Sequence, residues 1–367
     1  MRTICFFVGD ITRCGGTEKV STIIANEIVL NKNYRVMFLS LVEQNNFSYF
    51  SISADIKRYV LNKKGKWIEP GPGYLFLIPE LRRFLKRQSI DIIIDVDIVL
   101  DALTIPASVG MAVKVISWEH FHFYFEQKFL YRKMISRFSS LFSDYIITLT
   151  RQDKENYKKN LHRIKKIDFI YNPITVSKNR NSLECSKGVF RKNILITVGR
   201  IEEIKGADLI IKILPRILSR HKDWQWFFLG EGDYKGDLEE AVHRYQLEEQ
   251  VVLTGNVSNV EDYLKCASIF VMTSRSEGLP MCLLEAKAAG LPCVAFDIQT
   301  GPSEIIQNEV NGFLVPSFDL DKMVEKIELL IKSEELRNRF ANNTVIGMEK
   351  FQIDFILRKW AYVLENV

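Results

Sequence analysis

Two glutamates and two cations stand where they could do chemistry. Glu277 and Glu285 lie in "SRSEGLPMCLLEAKAAGLP" (274–292), separated by a Gly-Leu-Pro turn and an apolar run. Arg200 and Lys205 lie in "VGRIEEIKGADLIIKIL" (198–214), directly after an apolar run that reads as a strand. Carboxylates accept hydrogen bonds from paired hydroxyls such as those of sugars and ribose. Arg offers a planar fork of donors and Lys a mobile point charge, and both suit a diphosphate. Pro280 fits the first turn of a helix with Gly278 before it, so "EGLP" brings free backbone N–H groups to a helix start. Favouring a helix dipole is worth a few tenths to about 1 kcal/mol per glutamate. That accounts for Glu277 but hardly for Glu285 in its apolar surroundings. The combination fits a nucleotide sugar, with ribose at one carboxylate, diphosphate at the helix start and sugar hydroxyls at the other carboxylate.

Other stretches carry weaker signals. In "GDITRCGGTEKVSTIIANEIV" (9–29) a strand ends and Gly15-Gly16 opens a helix. That suits close approach of a phosphate, or is simply a tight turn. "GPGYLF" (71–76) and "GEGDYKG" (230–236) both miss the dinucleotide spacing. "LGEGDYKGDL" (229–238) and "LTGNVSNVEDYL" (253–264) are further strand exits with small residues. His120 and His122 in "WEHFH" lack a third ligand at metal spacing.

These residues need a scaffold. Apolar runs at 3–8, 35–41, 91–95, 113–118 and 144–150 alternate with helical patterns at 17–31, 77–88, 99–109 and 130–142. The alternation resumes with strands at 194–199, 224–230, 251–255, 268–273 and 292–296, and helices at 205–220, 235–246, 258–265 and 280–290. Fully apolar strands between helices predict parallel sheets covered on both faces. The expected fold is α/β, two Rossmann-like doubly wound domains facing across a cleft. The boundaries are 1–172, a polar linker at 173–193, a second domain at 194–350, and a helix within 351–367 packing back toward the first domain on Phe355, Trp360 and Tyr362.

Composition narrows the function. The 367 residues are 47% apolar and 26% charged, which is globular rather than disordered. Six scattered cysteines without a C-x-x-C pair fit reduced thiols of a cytoplasmic protein. No targeting segment or membrane-length apolar run is visible. Residues 1–175 carry 26 Lys+Arg against 17 Asp+Glu, and residues 176–367 carry 24 against 28. The basic first half therefore fits an anionic surface or ligand. "FEQKFLYRKMISRFSSLF" (125–142) with "LRRFLKRQ" (81–88) forms either a membrane-facing patch on the cytoplasmic face or two core helices with solvated basic sides.

Gly-Gly-Thr-Glu near the N-terminus, "GRIEEIKG", "GEG" and the Glu277–Glu285 spacing resemble the retaining glycosyltransferases of family 4, in order over nearly the whole chain. The resemblance is to bacterial enzymes that build capsule, O-antigen or lipid-linked oligosaccharides. It implies a GT-B fold, a UDP-sugar donor, a glycan or lipid-linked acceptor and no metal or other cofactor. Arg200 and Lys205 would hold the diphosphate and stabilise the leaving UDP, and Glu285 would bind ribose. Glu277, with the Gly278, Leu279 and Pro280 backbone, would meet the donor sugar. Asn256 and Val257 would line the base pocket, Gly15 and Gly16 would border the phosphates and acceptor, and His120 would touch the sugar. The loop "DIQTGPSEII" (297–306) departs from the family in lacking paired glycines. Asp95-Val96-Asp97 matches a metal-holding D-x-D pattern, but of the other main transferase fold. A nucleotide-sugar epimerase is the alternative enzyme. A nucleic-acid-binding protein is disfavoured, because the basic residues form no recognition module.

Overall fold

The computed structural model describes residues 1–63, 72–174 and 193–367. It divides into two compact units, Met1–Pro173 with Ile353–Val367, and Ile174–Gln352. Most of the expected linker, with Cys185, lies outside the described residues.

In the first unit seven parallel strands run β1 (Arg2–Val8), β2 (Tyr34–Ser40), β3 (Lys57–Val60), β4 (Ile92–Val96), β5 (Lys114–Trp118), β6 (Tyr145–Thr148) and β7 (Ile167–Phe169). Their order is β3-β2-β1-β4-β5-β6-β7. In the second unit β8 (Ile194–Val198), β9 (Gln225–Leu229), β10 (Val251–Gly255), β11 (Ile269–Met272), β12 (Cys293–Asp297) and β13 (Gly312–Pro316) take the order β10-β9-β8-β11-β12-β13. All pairings between these strands are parallel. Buried on both faces, the central strands need no polar alternation, hence runs such as Phe6-Phe7-Val8 and Ile92-Ile93-Ile94.

Strand order reverses between β1 and β4, and again between β8 and β11. Such switch points open a crevice beyond the carboxyl ends of the strands, where ligands bind in doubly wound sheets.

The last helix, Ile353–Asn366, belongs to the first unit. Ile356, Trp360, Val363 and Leu364 form its buried face. Trp360 meets Trp118 edge to face at 4.8 Å, and Lys359 Nζ donates to the Phe169 carbonyl at 3.0 Å. Tyr362, expected as an anchor, is exposed, because it falls off the buried stripe.

Candidate active site

The second unit gathers charge at its switch point. Chain leaving β8 passes through Gly199 and Arg200, and a turn at Glu203–Lys205 leads into the helix Ala207–Leu218. Ala207, Leu209, Ile210, Ile213 and Leu214 bury that helix's inner face. The turn closes at Gly206 with φ +77°, where a Cβ would stand 2.0 Å from the Thr273 carbonyl oxygen. Thr273, just past the neighbouring β11, returns a hydroxyl hydrogen bond of 3.1–3.2 Å to the Gly206 and Lys205 carbonyls. The Thr273 hydroxyl and the close backbone approach at Gly206 thus lock the exits of two adjacent strands together.

That lock sets Lys205 against Glu277. Lys205 Nζ lies 2.7 and 2.9 Å from the two Glu277 carboxylate oxygens. Burial alone would lower the Lys205 pKa, but Glu277 more than offsets it and holds the ammonium above the ordinary lysine range. Arg200 lines the same open pocket with Lys205, Gly199, Thr273 and Ser274. Its side chain is 64% exposed and touches Glu202 at 2.8 Å. An exposed pair of this kind is worth little, so the guanidinium is available to an anion.

The helix start expected around Pro280 needs correction. Pro280 is the N-cap, with ψ 109°, and the helix runs Met281–Ala288. Proline's fixed φ serves either position, and here the residue is spent on packing. A Cβ on Gly301 would stand 2.6 Å from Pro280 Cδ, and Thr300 Oγ1 donates to the Glu277 carbonyl. The loop without paired glycines therefore uses its one glycine to buttress Glu277-Gly278-Leu279-Pro280. Leu279 is buried, and Glu285 is half-buried on the helix that follows. Two positions on, Lys287 is almost wholly buried and donates to the Ile305 and Ile346 carbonyls at 2.6 and 3.1 Å. Burial pushes it down to about 8.

Asn256 is exposed and Val257 half-buried just past β10. A Cβ on Gly230 would stand 2.1 Å from the Gly199 carbonyl oxygen, and one on Gly232 2.4 Å from that of Ile201. The "GEG" loop thus lies flat on the Gly199–Ile201 chain, which is why it takes small residues.

One pairing went unread in the sequence. Arg275, inside "SRSEG", grips Asp208 through both guanidinium nitrogens at 2.6 and 2.7 Å and donates to the Glu203 carbonyl at 2.7 Å. This fork fastens the Lys205 turn to the Glu277 loop. Opposite charges at two strand exits were the available signal, but using it required knowing that β8 and β11 are neighbours.

Gly15, Gly16 and His120 belong to the first unit. Gly15 is the N-cap of the helix Gly16–Ile28. Buried Glu18 folds back over it, so that a Cβ on Gly15 would stand 2.2 Å from Glu18 Oε2. A carboxylate thus already occupies the helix start that suited a phosphate. His120 follows β5 with its ring 4.5 Å from that of Trp118. Its Nε2 is buried without a hydrogen-bond partner, and burial pushes the imidazole down to about 3, so it is neutral at physiological pH. The D-x-D carboxylates part company: Asp95 accepts from Thr104 at 2.8 Å, inside the core beside Asp101, whereas Asp97 pairs with Arg132 at 2.9 Å.

Known proteins share this organisation. The family model for glycosyl transferases group 1 matches residues 186–345. An uncharacterized glycosyltransferase of Haemophilus influenzae is 28% identical over 99% of this chain and all of that protein. The amylovoran biosynthesis glycosyltransferase AmsD of Erwinia amylovora is 26% identical, again over 99% of this chain and all of its own. The UDP-Gal:alpha-D-GlcNAc-diphosphoundecaprenol alpha-1,3-galactosyltransferase of Escherichia coli is 28% identical over 62% of this chain and 64% of its own. Among solved structures, Anabaena HepE in complex with UDP-glucose superposes with a TM-score of 0.78 at 16% identity, covering 99% of this chain and 100% of HepE. Neither an epimerase nor a nucleic-acid-binding protein is favoured by these similarities. The chain is a glycosyltransferase with the two-domain GT-B fold, and its second unit is similar to glycosyl transferases group 1, in which family 4 membership and retention are typical.

Proposed function

We propose that the protein moves a hexose or N-acetylhexosamine from a UDP-sugar, with retention, to a glycan or lipid-linked oligosaccharide in surface polysaccharide synthesis at the cytoplasmic face of a membrane. The observation that carries this reading is the Lys205–Glu277 pair beside Arg200 at the β8/β11 switch point. A cation for phosphate and a carboxylate for hydroxyls stand within bonding distance of each other, as the junction between a diphosphate and its sugar requires. The names of relatives support the biological setting: AmsD serves amylovoran biosynthesis, and the Escherichia coli enzyme uses UDP-Gal and a diphosphoundecaprenol-linked acceptor.

In this reading Arg200 and Lys205 meet the diphosphate, Glu285 the ribose, and Asn256 and Val257 the base. Glu277 and the Gly278–Pro280 backbone meet the donor sugar. Gly15, Gly16 and neutral His120 serve the acceptor side. Departure of UDP leaves an oxocarbenium-like sugar, which the acceptor hydroxyl attacks as its proton passes to the departing phosphate. The rate then comes from cations placed where phosphate charge develops and from holding the acceptor hydroxyl on the same face. No protein nucleophile is invoked. No metal is invoked either, because the two cations cover the phosphates while Asp95 and Asp97 are engaged elsewhere.

A panel of UDP-sugars screened for thermal stabilisation, followed by mass spectrometry of products on lipid-linked acceptors, tests this. One UDP-sugar should raise the melting temperature and yield an acceptor heavier by one sugar, with EDTA present. A UDP-sugar converted with no acceptor present, or activity abolished by chelator, would contradict it.

A further inference from the structure

An uncharged loop follows the carboxyl end of β2. In a chain that is 26% charged, residues 44–53, "QNNFSYFSIS", carry no charged side chain. β2 pairs with β1, so the loop borders the exit of β1, where strand order reverses. Phe47 is 73% exposed and Tyr49, two residues on, is 47% exposed. Exposed apolar side chains scattered singly are ordinary. Here two aromatics share one short loop at a ligand-binding edge of the sheet.

The loop is fastened at both ends. Asp10, wholly buried past β1, accepts from the Gln44 backbone N–H at 3.1 Å, and the Thr12 hydroxyl accepts from that of Asn45 at 3.3 Å. At the far end Asn26, on the helix Gly16–Ile28, donates to the Ser51 carbonyl and accepts from the Ser53 N–H, both at 2.8 Å. Between these anchors the Tyr49 hydroxyl lies against the Cys14 thiol, and their hydrogen bond raises the phenol above its ordinary pKa. The Tyr49 ring meets that of Phe50 edge to face at 5.1 Å. Cys14 directly precedes Gly15, so Tyr49 is fixed beside the Gly15-Gly16 turn.

Composition and charge identify the occupant. A pyranose ring offers one face of C–H bonds and a rim of hydroxyls. Aromatic rings suit the face, and amides and hydroxyls suit the rim. The loop supplies both, because exposed Gln44, Asn45, Asn46 and Ser51 flank the two aromatics. A phosphate is poorly served. The loop holds no cation, and within residues 9–18 one cation, Arg13, stands against two carboxyl groups, Asp10 and Glu18. Glu18 also covers the helix start that would otherwise attract an anion. A prenyl chain is the poorer occupant too, since it would cover the amides around the rings without bonding them.

We propose that Phe47 and Tyr49 form a stacking platform for an uncharged sugar ring of the acceptor, whose hydroxyls the amide side chains of the same loop bind. The proposal rests on the reading of Gly15 and Gly16 as the acceptor side and names the chemistry recognised there, a neutral pyranose rather than a phosphate or a lipid chain. Loop 44–53 is then a determinant of acceptor choice. It lies in the first unit, whereas Arg200, Lys205, Glu277 and Glu285 lie in the second.

Saturation-transfer NMR on the full chain tests it. The probes are the methyl glycosides of glucose, galactose, N-acetylglucosamine and N-acetylgalactosamine, with no donor present. At least one glycoside takes up saturation at its ring C–H protons. Phe47→Ala/Tyr49→Ala weakens that binding about tenfold, with the thermal midpoint of the unliganded protein unchanged. Phe47→Tyr/Tyr49→Phe keeps both rings and binds within about twofold of wild type. Absence of signal from every glycoside, equal binding by the alanine variant, or loss of binding in the ring-keeping variant overturns the proposal. So does binding of farnesyl diphosphate that the alanine variant loses, which would assign the platform to a lipid chain. Glycoside binding intact in a protein that no UDP-sugar stabilises would uphold the platform and sink the donor reading alone.

Discussion

Lys205 and Glu277, 72 residues apart in sequence, meet across the exits of two adjacent parallel strands, with the ammonium within 2.9 Å of both carboxylate oxygens. By sequence alone the two residues have separate tasks, one for phosphate and one for sugar. Their contact makes them one device: each orients the other, and a ligand's phosphate and hydroxyls would complete both shells. Arg275 with Asp208, and Thr273 with the Lys205–Gly206 carbonyls, fix the two backbones that carry the pair.

Removing either partner should therefore disable transfer. Lys205→Ala and Glu277→Gln are each expected to lower kcat/KM by about 100-fold or more, the scale for losing one aimed electrostatic group. Lys205→Arg should not restore turnover, since a planar fork does not replace a point charge seated on one carboxylate. Initial rates with the identified donor check this; near-normal turnover in Lys205→Ala contradicts it.

Gly206 is held to glycine twice over, by φ +77° and by the Thr273 carbonyl oxygen 2.0 Å from its absent Cβ. Gly206→Ala should cost about 3 kcal/mol of stability. Gly236 provides the contrast, because its Cβ would meet nothing within 4 Å and it lies in the helix Lys235–Arg244. Gly236→Ala should stabilise by up to about 1 kcal/mol. Urea unfolding of both variants decides whether the two shifts differ in sign.

Lys287 makes stability depend on pH in an unusual direction. Its folded pKa is pushed down to about 8 by burial, while the unfolded chain keeps the ordinary lysine value near ~10.4. Between those values the unfolded state holds a proton that the folded state lacks, so this group's contribution to stability rises with pH. Below pH ~8 both states are protonated and the contribution is flat. The melting temperature of wild type minus that of Lys287→Met should grow from pH 8 to 10. Parallel curves would show that Lys287 titrates normally.

Among the described residues Arg132 is the sole cation paired with buried Glu126 and with Asp97. Burial and the neighbouring Asp97 push Glu126 up to about 8 even with Arg132 present. Arg132→Met should cost about 3 kcal/mol, and adding Glu126→Gln should recover part of it by removing a carboxyl that has lost its partner. Chemical denaturation of the single and double variants measures the recovery; none would place the cost elsewhere.

The chain alone disclosed the alternation of apolar strands and helices, because fully buried strands leave unmistakable runs such as Ile92–Ile94. It also disclosed that Arg200 and Lys205 follow a strand directly. It hid β3, β7 and β13, which sit at sheet edges, where Lys57 and Arg58, Asp168, and Gly312 with Pro316 keep any continuous apolar run from standing out. It hid the Arg275–Asp208 clamp and the Lys205–Glu277 contact for a different reason. Both depend on β8 and β11 being neighbours, which is a property of sheet order rather than of local pattern. The fold of Glu18 over Gly15 and the polar buried face of the helix Leu130–Phe142 were hidden likewise, since burial of a charged or hydroxyl group is set by its partners.

The most direct test of the donor site is a crystal structure of the protein with UDP. The account predicts the diphosphate within hydrogen-bonding distance of Arg200 and Lys205 and the ribose hydroxyls on Glu285. A nucleotide bound in full occupancy away from the β8 and β11 exits would contradict it.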